Sequence, residues 1–248
     1  QKLSKAGAGM RKVGGAMTMG ITTPIVGVGL MMAKVAGDFE AQMNILGVAA
    51  SSAGTSVGDL EKAAIAVGGD ISLVGIDAVQ AADAMTEFYK AGLDTTDIFG
   101  DLEGYMERGV PLSGALRAAV DLQAASELDL AAASDIVSVA MATFGLSAED
   151  AVGIADNFVQ AADASKASVA GLGAAMANVG PTAAAFGWDL GEVNTALALL
   201  STRGIEDAEA GTALKSMMTN IMRPTNKVVG LLDELGDMLY DNEGSMLS

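Results

Sequence analysis

Carboxylates are the only acid–base groups that this chain offers, because its 248 residues include no Cys and no His. Thiol nucleophiles, disulfides, imidazole pairs and Cys/His metal sites are therefore excluded. Neighbouring carboxylates occur at Glu149–Asp150, at Glu206–Asp207, and at Asp233–Glu234 with Asp237. The first two pairs stand at predicted helix starts, where carboxylates cap free N–H groups, and the third set is typical of a solvated helix face. We favour these structural roles over catalysis.

Other patterns of catalytic or metal-binding residues are weak. Ser165 and Lys166 are adjacent in sequence, and adjacent side chains on a helix point apart. The remaining acids of the central region are spread over helical faces without a calcium-binding DxDxDG loop, namely Asp129, Asp135, Asp156 and Asp163. Neither a GxxxxGK[ST] phosphate loop nor a GxGxxG motif is present. The sequence predicts no catalytic residue, no cofactor and no metal; the enzymatic alternative, a carboxylate-only glycosidase, fits poorly with 4% aromatic residues.

Two apolar features have a binding interpretation beside a structural one. Met217, Met218 and Met222 lie on one predicted helix face, where core packing is favoured over an adaptable partner-binding surface. Trp188, the single tryptophan, follows Gly187 directly. We expect it to be buried at a helix junction, with a ligand platform as the alternative.

The rest of the chain repeats a short residue pattern that is typical of the junction between two helices. A Gly precedes one large apolar residue, then Asp, Ser or Glu, and an acid or Gln follows three positions later. Gly at this place closes one helix in the left-handed conformation, and the polar pair forms a capping box for the next helix. The clear copies begin at Gly75, Gly92, Gly145, Gly187 and Gly204, looser copies begin at Pro111 and Glu127, and a further helix boundary is expected near Lys166–Gly171.

The spacing of these junctions predicts the fold class. A repeat of about 17 residues leaves helices of ~12–14 residues, which is close to the globular mean. Apolar residues follow a 3.6-residue period within the helices, for example over Asp129–Phe144. We therefore predict an all-α fold, a multi-helix bundle or irregular array of short antiparallel helical hairpins, preceded by a Gly-rich apolar segment.

That segment lies within residues 1–37, which carry a charge of +5, whereas residues 38–248 carry −22. Residues 13–33 are uncharged and long enough to cross a bilayer, although five Gly and Pro24 lower their helix propensity. We weigh a packed segment in an assembly against a conditional membrane segment, with a signal peptide the poorest fit. The acidic body predicts no nucleic-acid binding.

An ordered set of short motifs resembles the conserved core region of phage tail tape measure proteins. The set covers residues 20–235, and its most specific piece is Gly204–Ile205 followed by Ala210–Lys215 and Arg223–Pro224. Its other members are Thr22–Ile25, Lys34–Met43, Ala91–Leu93, Phe144–Leu146 with Asp156, Asn178–Ala183 and Leu199–Leu200.

The resemblance implies a structural, non-enzymatic virion protein. Members of that family occupy the tail-tube lumen, set tube length during assembly in the host cytoplasm, and leave the tube at infection to assist genome delivery. The implied partners are the tail-tube protein, tail assembly chaperones, tail-tip or baseplate proteins and further copies of the chain. A host membrane is an additional expected partner, and the alternative function is a membrane-active protein that inserts its N-terminal apolar segment.

A length ruler works best as extended helix, at ~1.5 Å per residue. Gly is expected to end a helix about every 17 residues in this chain. We therefore expect a compactly folded module, with a longer helical portion lying outside this chain. The expected organisation is a basic apolar segment over 1–37, a helical core module over 38–235, and a tail or linker over 236–248. The chain begins with Gln rather than Met, so we interpret it as a fragment or a processed product.

Overall fold

The computed structural model describes residues 36–222, apart from 71 and 74, and residue 230. The described part of the chain is helical and contains no strand, which confirms the predicted all-α class. Two compact units are present, one ending at Thr86 and the other beginning at Glu87. This division falls inside the predicted core module, whose expected boundaries at 37 and 235 remain predictions.

The first unit is described from residue 36. Helix α1 covers residues 36–49, a 3₁₀ turn covers Ala50–Ser52, α2 covers Val57–Gly69, and α3 (Ala78–Lys90) begins here and ends in the second unit. The Gln42 side-chain amide on α1 donates to Asp83 on α3 over 2.9 Å. Gly68 lies against the backbone at the start of α3, where no side chain would fit.

The second unit consists of eight helices after α3 within the described residues. They are α4 (Thr95–Phe99), α5 (Leu102–Arg108), α6 (Gly114–Ala124), α7 (Leu130–Phe144), α8 (Ala148–Asp163), α9 (Val169–Ala185), α10 (Leu190–Thr202) and α11 (Asp207–Met222). The predicted boundary near Lys166–Gly171 is confirmed by the break between α8 and α9. One prediction is wrong: the interval from Asp94 to Pro111 holds two short helices, because Gly100 (φ 65°) ends α4 and Asp101 caps α5.

From α6 onward the helices form two layers. The even-numbered helices α6, α8 and α10 pack side by side in one layer, and α7, α9 and α11 pack side by side in the other. Each helix also packs on its sequence neighbour in the opposite layer, so the principal contacts join a helix to the next and next-but-one helix. This is the short antiparallel hairpin array that the spacing predicts, with the order of a solenoid.

The caps explain why each helix ends where it does. Gly92, Gly145 and Gly187 all have φ between 65° and 88°, the left-handed region that glycine adopts readily. The polar residues after them form reciprocal capping boxes: Asp94 with Asp97, Ser147 with Asp150, and Asp189 with Glu192. Asp77 and Gln80 exchange the same two hydrogen bonds, at 2.8 and 3.0 Å.

Two of the predicted junctions differ from the pattern. Ser113 stands before α6 without capping it, because its hydroxyl donates to the carbonyl of Phe99 over 3.1 Å. After Gly204 (φ 85°), α11 begins at Asp207, directly after Glu206 as the junction predicts, but Asp207 itself has a positive φ of 52°. The looser copy at Glu127 is confirmed, since Asp129 caps α7 by accepting from the Ala132 N–H.

The close contact between α9 and α11 depends on a glycine. These two helices share the most extensive contact in the second unit. A Cβ placed on Gly211 would lie 2.8 Å from Cα of Ala175 and would clash with the carbonyl oxygen of the same residue. Gly211 is therefore the point where the backbones of α9 and α11 approach each other, which gives a physical reason for glycine within the motif Ala210–Lys215.

No single described helix is long and apolar enough to cross a membrane; α7 and α8, bent by 119°, meet that criterion only as a pair and only by length and composition. The apolar segment 13–33 and the predicted tail 236–248 lie outside the described residues.

Candidate interaction surface

The carboxylates that could do acid–base chemistry are occupied at helix ends. The Asp150 carboxylate accepts from the Ser147 N–H at 2.9 Å and the Ser147 hydroxyl at 2.8 Å, which holds the pKa of Asp150 below its ordinary value of 3.8. The Asp59 carboxylate accepts from the Ser56 hydroxyl and from the Lys62 ammonium, and its pKa is lowered for the same reason. Both groups stay ionised at neutral pH, as caps require.

The other candidates are likewise dispersed. The Asp207 carboxylate lies against Gly171 in the first turn of α9, where the free N–H end of a helix favours negative charge. The Ser165 hydroxyl donates to the Ala161 carbonyl and accepts from the Ala167 N–H, so it shapes the turn after α8. No group of three or more acids within the described ranges is placed to hold a metal ion. Asp233, Glu234 and Asp237 lie outside those ranges.

The methionine stripe of α11 divides between core and surface. Met218 is buried, as are Ala210 and Leu214, whereas the side chain of Met217 is 48% exposed. Ile221, one turn farther on, is 63% exposed. The core interpretation therefore holds for Met218, and Met217 belongs to an apolar surface.

That surface is a groove between α10 and α11, which we call the terminal groove. It encloses about 470 Å³, and its lining residues are Trp188, Ala196, Leu199, Leu200, Thr202, Arg203, Ala213, Leu214 and Met217. Trp188 is half-buried in it rather than fully buried as expected from its position after Gly187. Leu199 forms one rim with 64% of its surface exposed.

A second groove, between α8 and α10, is smaller and more polar. It encloses about 380 Å³ and is lined by Asn157, Gln160, Asn194 and Thr195 among others. The Asn194 side-chain amide donates to Oδ1 of Asn157 over 2.8 Å. Asn194 is buried, and its own Oδ1 has no hydrogen-bond partner within the described part of the chain.

Most basic residues of the described surface are paired with acidic residues. Seven basic residues lie within residues 36–222, and four of them, Lys62, Lys90, Arg108 and Arg117, form ion pairs with nearby acids. Arg203, at the end of α10, forms no ion pair within residues 36–222, and it lines the terminal groove. Sequence reasoning missed this groove because periodicity identifies which helix face is apolar, but not which neighbour covers it.

Comparison with known proteins gives the class of this capped all-α array. The family model of phage-related minor tail proteins matches residues 61–248, so the chain belongs to that family.

A relative of named role extends the comparison. The chain is 28% identical over 246 residues to the tape measure protein of Pneumococcus phage Dp-1. The match covers 99% of this chain and 20% of that protein, so the chain spans about a fifth of the relative's length. No solved structure matches. The chain is thus a structural protein of a phage tail, related to tape measure proteins, as its motifs predict.

Proposed function

We propose that this chain is a folded, non-catalytic module of a tape measure protein inside the tail tube. The rest of that protein would set tail length during assembly, and the whole would leave the tube at infection to assist genome delivery. The observation that carries the proposal is the end-to-end match of this chain to one fifth of a tape measure protein, combined with a fold made of short capped helices.

The short helices of this chain distinguish a compactly folded module from an extended helical ruler. The longest helix with both ends described, α9, has 17 residues, so it spans about 25 Å. Its neighbours fold back on it, which means that adding residues to this array does not extend it by 1.5 Å each. Length measurement is therefore assigned to helical sequence elsewhere in the longer protein.

Charge suits a protein that shares a narrow tube with DNA. Residues 38–248 carry a charge of −22, and four of the seven described basic residues are already paired with acids. A DNA-binding surface needs several basic side chains free to contact phosphates. Mutual repulsion would keep this module from adhering to the genome.

The proposed partners follow from the proposed place. They are the lumen surface of the tail-tube protein, tail assembly chaperones in the host cytoplasm, tail-tip or baseplate proteins, and further copies of this chain. Membrane insertion is not part of the proposal, because the segment that would insert, residues 13–33, lies outside the described residues.

The test is made in the gene for the longer protein. An in-frame deletion of about 100 residues from predicted long helices outside this chain is expected to shorten the tail by ~150 Å, the helical rise times the deleted length. Tail lengths are measured by negative-stain electron microscopy. Duplicating the same residues is expected to lengthen the tail by the same amount.

The matched control removes helices α7–α10, about 70 residues, from this module. A ruler would shorten by ~105 Å, whereas a folded module is expected to give no such shortening, either because tails keep their length or because assembly fails. Tails of normal length after the outside deletion, or a proportional shortening in the control, would overturn the proposal.

A further inference from the structure

Within the described residues, the two-layer array ends at α11. In the array, each helix from α8 to α11 packs both on the helix before it and on the helix two before it. A helix following α11 would by the same rule lie beside α10 in the even layer and rest on α11. That position is the terminal groove.

The terminal groove is lined by large apolar side chains of the kind that are normally buried between helices. Trp188, Leu199 and Met217 line it, and Leu199 and Met217 keep 64% and 48% of their surface exposed. Adjacent helices of an array normally bury such rows against the next helix, and arrays end in a helix whose outer face is polar. Large apolar side chains grouped at an open end indicate that something covers them.

We propose that residues 228–240 of this chain form the next helix and fill the terminal groove. The apolar residues of this stretch recur with helical spacing, at Val228, Leu231, Leu232, Leu235, Met238 and Leu239. The stretch has 13 residues, the same length as α10.

The connection is long enough for the chain to reverse. α11 is described as far as Met222, five residues beyond Met217 of the groove, and five residues, 223–227, precede the stretch. Five residues span up to ~16 Å when extended, which exceeds the 8–10 Å separation of packed helix axes. Pro224 favours the reversal, because proline lacks the N–H group that would continue a helix.

Charge supports the same placement. Asp233, Glu234 and Asp237 occupy the opposite face of the predicted helix and would give the array a polar end. Running antiparallel to α11, the helix would end near Arg203, the groove cation without an ion pair in the described residues.

Cysteine pairs test the proposal directly, because the chain has no cysteine of its own. In the full 248-residue chain, Met217→Cys with Leu232→Cys is expected to form a disulfide within one chain upon mild oxidation, detected as a mobility shift on a non-reducing gel. Met217→Cys with Asp233→Cys is the matched control, since it has nearly the same sequence separation but places the second thiol on the polar face. It is expected to cross-link far more slowly.

Trp188 gives an independent signal as the only tryptophan. Leu232→Asp is expected to shift the Trp188 emission to longer wavelength and to increase its quenching by acrylamide, with helix content from α1 to α11 retained by circular dichroism. Gly230→Asp adds the same charge on the opposite face and is expected to leave the emission unchanged. Disulfide-linked dimers would assign the groove to a second copy and overturn the proposal, as would equal cross-linking of both pairs or unchanged emission in both variants.

Discussion

Asp150 carries a carboxylate, a group capable of acid–base catalysis, but in this protein the carboxylate caps a helix. Its carboxylate accepts two hydrogen bonds from Ser147, while the Ser147 hydroxyl accepts from the Asp150 N–H in return. These bonds satisfy donors at the start of α8 that the helix itself leaves free. The same exchange occurs at the starts of α4 and α10, so the acids at these junctions define helix ends.

The hydrogen bonds at Asp150 predict a pH-dependent contribution to stability. Because they hold the pKa below 3.8, the contribution is present above that value and is lost as the pH falls through the lowered pKa. Asp150→Asn removes the titrating group. We expect the free energy of unfolding of the variant to lie below that of the parent at neutral pH and the gap to narrow in acid, measured by urea denaturation at both pH values. An equal gap at both would contradict this.

Residue types predicted these junctions well, because a cap depends on neighbours three positions apart in sequence. The start of α11 departs from the pattern in the positive φ of Asp207, whose carboxylate lies against Gly171 on α9, 36 positions away in sequence. Ser113 departed for a similar reason, since its hydroxyl bonds to Phe99 in α4. A pattern read over one turn contains no information about such long-range partners.

At the scale of the element, close packing depends on where side chains are missing. Gly211 brings α11 against the backbone of Ala175 in α9, and Gly173 brings α9 against Ile136 in α7. Sequence periodicity predicted helices with an apolar face. It could not distinguish a glycine at a helix crossing from one on an open surface, because that difference lies in the partner helix.

Two glycine-to-alanine substitutions separate these cases. Gly211→Ala is expected to destabilise the second unit by about 2 kcal/mol or more, because the new methyl group collides with backbone that cannot move as a side chain can. Gly153 lies exposed in α8, and a methyl group added there would have no neighbouring atom within 4 Å beyond its own helix.

Gly153→Ala is therefore the control, and we expect it to raise stability by ~0.5–1 kcal/mol because alanine favours helix. Thermal and urea unfolding of both variants provide the measurement. A Gly211→Ala protein as stable as the parent would mean that α9 and α11 are not in close contact in solution.

At the scale of the whole molecule, the sequence predicted the class of fold and the family, and the structure adds the layered order. Regular junction spacing indicates how many helices to expect, but their pairing is decided by which apolar faces match in shape. The terminal groove belongs to this level, because Leu199 and Met217 are on different helices and come together only through the packing of α10 on α11.

The overall charge makes a prediction for the chain as a whole. Residues 38–248 are expected to show no measurable retention of duplex DNA in a low-salt filter-binding titration, since a net charge of −22 opposes approach to phosphates. The full chain, with its additional five basic residues, serves for comparison. Tight binding by residues 38–248 that weakens as salt is added would refute the repulsion argument.

The restriction of principal contacts to the next two helices also has a consequence for synthesis. From α6 onward, a helix completes its packing once the second helix after it has left the ribosome. Local contacts of this kind form rapidly, and domains generally fold as units while the chain is being made. Within a longer chain, the module would therefore reach its native structure without waiting for sequence translated after its last helix.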